Sequence, residues 1–134
     1  MDISSFDDLL VAARQQAQPQ RLLFAFAHAE LPADATAAQK SAFEAGQGGA
    51  LVPSVCVDKT LDELTTFAAF EEESRQFSLD WVIVFAASLS GRDGQLPSAA
   101  DAEAPLRKMV ESIKAGDIGA FIPFNRQGEP VQLG

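Results

Sequence analysis

Seven polar side chains lie at the ends of three apolar segments of this sequence, where together they could bind a small molecule. They are His28 and Glu30, Asp58 and Lys59, and Ser90, Arg92 and Asp93. A histidine and carboxylates can exchange protons with a substrate, and Lys59 and Arg92 can hold an anionic group. The carboxyl ends of neighbouring parallel strands meet at one rim of a sheet. If the three segments are such strands, the sequence predicts a ligand site at that rim, with His28, Glu30 and Asp58 as acid–base candidates.

The sequence lacks the patterns of a catalytic or metal-binding protein. His28 is the only histidine and Cys56 the only cysteine, which leaves too few ligands for a zinc site. No Gly-x-Ser-x-Gly motif places a serine for nucleophilic attack. The segment Gly46-Gln47-Gly48-Gly49 follows a predicted helix, whereas a phosphate-binding loop precedes one. We therefore expect no catalytic residues, no metal and no cofactor.

The charge balance argues against nucleic acids and membranes as partners. The 134 residues include 10 Lys or Arg and 19 Asp or Glu, which gives a net charge of −9. Nucleic acids and anionic lipids are bound through basic surfaces, and this sequence has no basic cluster. No apolar run reaches the ~20 residues that span a bilayer, and the acidic start lacks the pattern of a signal peptide. We expect a cytoplasmic protein that binds neither nucleic acid nor membrane.

Amphipathic and apolar segments alternate along the chain, which is typical of a sheet flanked by helices. The spacing of apolar residues predicts a helix over about 6–16, which Ser5 can cap, and a helix over about 61–76, which follows a capping box of Thr60 and Glu63. It also predicts a short helix that ends near 43 and a helix that ends at 114. Uninterrupted apolar runs predict buried strands over about 21–29, 50–58 and 81–88. We expect a single α/β (or α+β) domain over residues 1–134. Its mixed sheet should have about 4–5 strands, flanked by about 3–4 helices.

The C-terminal residues 121–133 have the pattern of a β-hairpin with a polar turn. Pro123 and Pro130 cannot donate to a strand ladder, so one of these strands should lie at a sheet edge. Such an edge can pair with another protein or with a second copy of the chain. Our first hypothesis is a small acidic accessory or interaction protein without catalysis of its own. The alternative is a small-molecule-binding or enzymatic domain that uses the strand-end rim.

Several segments resemble a family of small proteobacterial proteins often labelled "ribonucleotide reductase subunit alpha". The resemblance covers essentially the whole chain and is carried by residues 3–10, 46–51, 56–59, 118–124 and 126–128. It implies no role for any single residue. Reduction of a ribonucleotide needs a radical cysteine and a separate redox pair, and this chain has one cysteine. We therefore expect no reductase activity from the chain itself, while an accessory role near such an enzyme is compatible with the resemblance.

Overall fold

A computed structural model describes residues 3–31, 34–44, 50–76 and 80–132 of the protein. In chain order the elements are α1 (Phe6–Arg14), β1 (Gln20–Glu30), α2 (Ala37–Glu44), β2 (Ala50–Thr60), a short 3-10 helix (Leu61–Glu63), α3 (Phe67–Ser74), β3 (Ile83–Ser90), α4 (Ala99–Lys114) and β4 (Ile122–Phe124). The expected α/β class is confirmed. The predicted glycine-rich turn at 46–49 lies outside the described residues. No helix in the described ranges is both long and apolar enough to cross a bilayer.

The four described strands form one sheet in the order β2-β1-β3-β4, and each pairing is antiparallel. β1 and β2 run side by side over their whole length, and the register shifts once, between Phe26 and Ala27. Among these described strands, the parallel neighbours on which the predicted rim depended do not occur. Long connections that carry helices are compatible with antiparallel pairing, so the alternation of helices and strands did not decide the strand direction.

β1 is buried on both faces, which explains its uninterrupted apolar sequence. Alternate side chains of a strand point to opposite faces. Leu22, Phe24 and Phe26 therefore belong to one apolar cluster, and their neighbours in the strand belong to a second cluster. Side chains of α1 and α3 pack in the first cluster and those of α4 in the second. The sheet is thus the middle layer between two layers of helix.

Two separate helices follow β2, and each begins at its own N-cap residue. Thr60 and Glu63 form the capping box expected from the sequence, but it caps only the 3-10 helix. A new helix, α3, begins at Phe67 with the Thr66 side chain as its N-cap. The continuous helix expected over 61–76 is therefore wrong, because Leu64 takes an extended conformation that buries its side chain in the core.

α4 has a well-defined start that the sequence pattern did not identify. The Ser98 hydroxyl accepts from the Asp101 amide, and the Asp101 carboxylate accepts from the Ser98 amide. Pro105 lies inside the helix, beyond its first turn. Met109 and Ile113 are buried against the sheet. This cap places the first turn of α4 beside the end of β3, where it contributes to the cavity described below.

The predicted C-terminal hairpin is not confirmed. β4 is present, but a single isolated bridge, between Phe124 and Pro130, joins it to the segment that follows. The turn between them faces the core. The Phe6 amide donates to the Gly128 carbonyl at 2.8 Å, and a Cβ on Gly128 would lie 2.9 Å from the Phe67 ring. Since Gly128 also has a φ of +78°, glycine is required there.

Candidate functional site

The antiparallel sheet separates the seven predicted rim residues. Glu30, at the end of β1, pairs with Ala50, the first residue of β2. The last residues of β2 and β3 lie at the opposite end of the sheet, where Thr60 pairs with Arg21. The prediction that His28 and Glu30 share a rim with the other five residues is therefore wrong, because it required parallel strands.

At their own end of the sheet, His28 and Glu30 contact each other. His28 Nε2 lies 2.9 Å from Glu30 Oε1, as expected for side chains two positions apart on one face of a strand. The His28 side chain is 23% exposed and that of Glu30 is 59% exposed. Glu30 thus provides a partner for the imidazole, and none of the other predicted site residues lies at this end.

Asp58 is paired with an arginine that the sequence analysis did not single out. Arg21 Nη1 donates to Asp58 Oδ2 at 2.6 Å, and Arg21 Nε donates to the Pro97 carbonyl at 2.7 Å. Arg21 lies at the start of β1, whereas the predicted rim residues follow the ends of strands. Only the antiparallel register brings these residues together. Arg21 therefore ties β1 to β2 and to the loop that precedes α4.

Lys59 faces the other side of the sheet. Consecutive residues of a strand point to opposite faces, so Asp58 and Lys59 cannot serve the same site. The Lys59 ammonium forms an ion pair with Glu73 of α3. Lys59 therefore links β2 to the helical layer.

Ser90, Arg92 and Asp93 do lie close together, around a tight turn at the end of β3. Asp93 and Gly94 have φ values of +53° and +75°, the signs that a type I′ turn requires at its two central positions. Gly91 lies so close to this turn that a Cβ would sit 2.0 Å from the Gln95 carbonyl oxygen. The φ values of Asp93 and Gly94 therefore identify the turn as type I′.

A cavity of about 390 Å³ opens between this turn, β3 and the first turn of α4. Its apolar wall is formed by Leu89, Leu96 and Pro97, and its polar groups include Arg92 and Asp101. Asp93 does not line it. Hydrogen bonds from Ser98 are the main cause that lowers the pKa of the Asp101 carboxyl, and the charge of Arg21 adds a smaller effect. By contrast, Arg92 forms no ion pair or side-chain hydrogen bond with any residue that the structure describes.

The outer edge of β3 is open next to this cavity. β4 pairs with β3 only from Val84 to Ala86, and no described strand continues beyond that point. The Gly91 amide donates to the Pro19 carbonyl at 2.8 Å, so the backbone of Gly91 faces β1. Backbone groups alternate along an antiparallel strand, and those of Ser88 and Ser90 therefore face outward. Both serines are exposed, and their hydroxyls bond to Gln20 on β1.

The other two edges of the sheet carry features that hinder pairing. β2 contains Pro53 and a bulge at Ser54. β4 has only three residues, one of which is Pro123. Prolines, bulges and charges are the means by which proteins protect sheet edges, and the segment 87–90 of β3 has none of them. The open edge of β3 is therefore the most accessible backbone for pairing among the described strands.

A second group of charges fastens the C-terminal turn to α3. Arg126 Nη2 donates to Glu71 Oε1 at 2.6 Å, and Arg126 Nη1 donates to the Trp81 carbonyl at 3.2 Å. The guanidinium carbon lies 4.7 Å from the centre of the Trp81 ring. Hydrogen bonds from Arg75, and then from Arg126, lower the pKa of the Glu71 carboxyl below its ordinary value. These contacts hold the C-terminal turn against α3. The Glu71 carboxylate pairs with both Arg75 and Arg126 and offsets part of their positive charge.

The remaining titratable groups do not suggest chemistry. Burial raises the pKa of the Cys56 thiol, which disfavours the reactive thiolate. Within the described residues, no group of three or more His, Cys, Asp or Glu side chains could hold a metal ion. Comparisons with models of protein families, with curated proteins and with solved structures found no match. The site is therefore defined by its geometry: an open strand edge beside a cavity lined by Arg92, which has no ionic partner among the residues that the structure describes.

Proposed function

We propose that the protein binds an extended segment of a partner protein, which adds as a strand to the open edge of β3, and that it has no catalysis of its own. The observation that carries this proposal is the exposed edge at Ser88 and Ser90, whose outward backbone groups have no partner among the described residues. Strand addition gains affinity from main-chain hydrogen bonds and specificity from side-chain pockets. The open edge of β3 offers the main-chain hydrogen bonds, and the adjoining cavity offers a side-chain pocket.

A different protein fits this edge better than a second copy of the chain. Outward-facing residues pair with each other, so self-pairing about a two-fold axis at Leu89 would set Ser88 of one copy opposite Ser90 of the other. Continued along the strands, this register would place Arg92 of one copy opposite Ala86 of the other. Ile122 already occupies that position, since it pairs with Ala86. The two copies would also bring together net charges of −9 each, which repel.

The C-terminal segment is a less suitable place for the partner than the sequence pattern indicated. Its turn contacts α1 through Gly128 and α3 through Arg126. The Gly128 carbonyl already accepts a hydrogen bond from Phe6, so it is not available to a partner. A cytoplasmic location and the absence of nucleic-acid partners stay predictions from the sequence. An accessory role beside a ribonucleotide reductase stays a proposal supported by the resemblance alone.

A proline at Ser88 tests strand addition directly. Ser88→Pro removes an outward N–H and leaves the backbone bonds to β1 in place, because the N–H of Ser88 does not face β1. Ser88→Ala is the matched control, since it removes the hydroxyl and keeps the N–H. Peptides selected from a random display library against the wild-type protein should bind Ser88→Ala and fail to bind Ser88→Pro. They should also slow amide hydrogen exchange at Ser88 and Ser90.

Two results would contradict the proposal. One is selected peptides that bind Ser88→Pro as tightly as the wild-type protein, and the other is exchange protection that appears away from β3. Thermal unfolding of each variant shows whether it is folded, and Ser90→Pro repeats the test one pair further along the edge. If both proline variants unfold, the exchange measurement on the wild-type protein decides.

The second candidate function is binding of a small carboxylated molecule in the same cavity. The observation that favours it is the Arg92 guanidinium, which has no ionic partner in the described structure and can bind a carboxylate in a bidentate manner. A thermal-shift panel of carboxylated metabolites tests it. A ligand at 100 times its Kd stabilises by about 2.7 kcal/mol, which is readily measured. Such a ligand should shift wild type and Ser88→Pro equally and leave Arg92→Gln unchanged, whereas a flat panel would reject this function.

A further inference from the structure

We infer, on the basis of the proposed function, that the partner segment carries an aspartate or glutamate two residues before an apolar side chain. The apolar side chain would enter the cavity beside Leu89, and the carboxylate would pair with Arg92. Both requirements follow from the register that an added strand must take along the segment 87–90, and from the groups that line the cavity.

The direction of the added strand sets the order of these two residues. Each pairing in the described sheet is antiparallel, and antiparallel pairs are slightly more stable per residue than parallel pairs. We therefore place the N-terminal end of the partner segment near Gly91 and its C-terminal end near Ala87. Beyond Ala87 it must bend or end, because Ile122 occupies the next position beside Ala86.

The apolar position lies opposite Leu89. The backbone of Leu89 faces β1, so Leu89 and its new partner form a pair without mutual hydrogen bonds, in which side chains approach most closely. Leu89 packs with the cluster on the α4 face, and the cavity on that face has Leu96 and Pro97 in its wall. Leu96 is 42% exposed, and an apolar side chain seated there would cover it.

The acidic position lies opposite Gly91. In an antiparallel partner this residue comes two positions before the apolar one, and it faces the same side of the sheet. Arg92 lines the same cavity and has no ionic partner among the described residues, so its guanidinium can pair with a carboxylate placed there. The other charged group of the cavity, Asp101, is held by hydrogen bonds to Ser98 in the first turn of α4, where the helix dipole offsets its charge.

Between and after these positions the partner should carry polar residues. They lie opposite Ser90 and Ser88, whose exposed side chains are on the other face of the sheet. The expected pattern, from N- to C-terminus, is acidic, polar, apolar, polar. An amidated peptide Lys-Gly-Glu-Thr-Val-Thr-Gly-Lys with an acetylated N-terminus has this pattern. Its lysines give it a positive net charge, so that repulsion by the acidic protein does not mask binding.

Fluorescence anisotropy with labelled peptides measures the contribution of each position. The comparison peptides replace the glutamate by glutamine, replace the valine by asparagine, or exchange the places of glutamate and valine. On the wild-type protein, we expect about fivefold weaker binding without the carboxylate, as for a partly exposed ion pair. We expect about tenfold weaker binding without the valine, because less apolar surface is buried. The exchanged peptide should also bind more weakly than the parent peptide.

Protein variants test the preference for a carboxylate separately from strand addition. Arg92→Gln should bind the glutamate and glutamine peptides equally, while Arg107→Gln, an exposed arginine on α4 that does not line the cavity, should keep the difference. If the wild-type protein binds both peptides equally and Ser88→Pro binds neither, strand addition stands and the inferred specificity is wrong. If Ser88→Pro binds the parent peptide normally, the proposed function itself fails. Preference for the exchanged peptide, or no binding of the parent peptide at all, would also overturn the inference.

Discussion

Replacing Arg126 by alanine should destabilise the protein by about 2–3 kcal/mol. The side chain is 26% exposed and contributes an ion pair with Glu71, a hydrogen bond to the Trp81 carbonyl and a contact with the Trp81 ring. A partly exposed ion pair contributes about 0.5–1 kcal/mol, a stacked guanidinium about as much, and a charged hydrogen bond about 1 kcal/mol or more. For a chain of 134 residues, the sum lowers the melting temperature by about 7–10 °C.

Urea denaturation, followed by the fluorescence of Trp81 and by circular dichroism, measures this loss. Trp81 is the only tryptophan of the chain, so the signal reports on the start of β3. Arg107→Ala is the matched control, and it should stay within about 0.5 kcal/mol of the wild-type protein because its side chain is exposed on α4. A double-mutant cycle with Glu71→Gln isolates the ion pair, for which we expect a coupling of about 1 kcal/mol.

Equal stability of Arg126→Ala and Arg107→Ala would contradict this expectation. The C-terminal turn would then not be fastened to α3 in the way the contacts indicate. If the expected loss is found, deletion of residues 125–134 destabilises the core as well as removing the C-terminal segment. Partner binding should therefore be tested by single substitutions at the edge of β3, and not by truncation.

Three further predictions concern the turn at β3, the buried tryptophan and the response to acid. Gly91→Ala should cost about 1–3 kcal/mol in urea denaturation, because a Cβ would displace the Gln95 carbonyl; wild-type stability would show that the turn adjusts freely. Ser74→Ala should cost about 1–3 kcal/mol, since it leaves the buried Trp81 Nε1 without its 2.8 Å acceptor; unchanged stability would show that another acceptor replaces the hydroxyl. Because the pKa of Glu71 is lowered in the folded protein, its carboxylate adds fully to the free energy of unfolding above pH 4.5, the ordinary pKa of glutamate. This stabilisation is lost as the pH falls through the lower pKa of the folded state. Denaturation midpoints between pH 7 and pH 3 should therefore fall less steeply for Glu71→Gln than for the wild-type protein, and parallel curves would contradict this.

Most secondary structure could be predicted because its causes are local. The Ser5 hydroxyl caps α1 by accepting from the Asp8 amide, as the pattern of a serine before an apolar stripe indicated. The apolar run from Leu22 to Ala27 predicted a strand buried on both faces, and each of its six side chains is buried. The capping box at Thr60 was also found, but its helix ends after one turn because Leu64 packs in the core. A local signal therefore identified where a helix begins and could not say how far it continues.

The candidate site was predicted only in part. Ser90 and Arg92 lie at the cavity, as expected of residues that follow a buried strand. His28, Glu30 and Lys59 lie elsewhere, because their places depend on strand direction and on the face of the sheet. Arg21 was missed for the same reason, since its partner is 37 residues away in the sequence.

By itself, the sequence determined the α/β class, the apolar layers and the helix caps at Ser5 and Thr60, because side-chain periodicity and hydrogen bonds between near neighbours specify them. It also determined the acidic charge and the scarcity of histidine and cysteine. Only the tertiary structure decided the strand order, the antiparallel directions and the length over which β4 covers β3. Those features arise from contacts between distant segments, which compete for the same apolar surfaces and backbone groups. The open edge at Ser88 and Ser90 exists because β4 stops pairing at Ala86, and no local pattern in β3 encodes where a strand from the other end of the chain will stop.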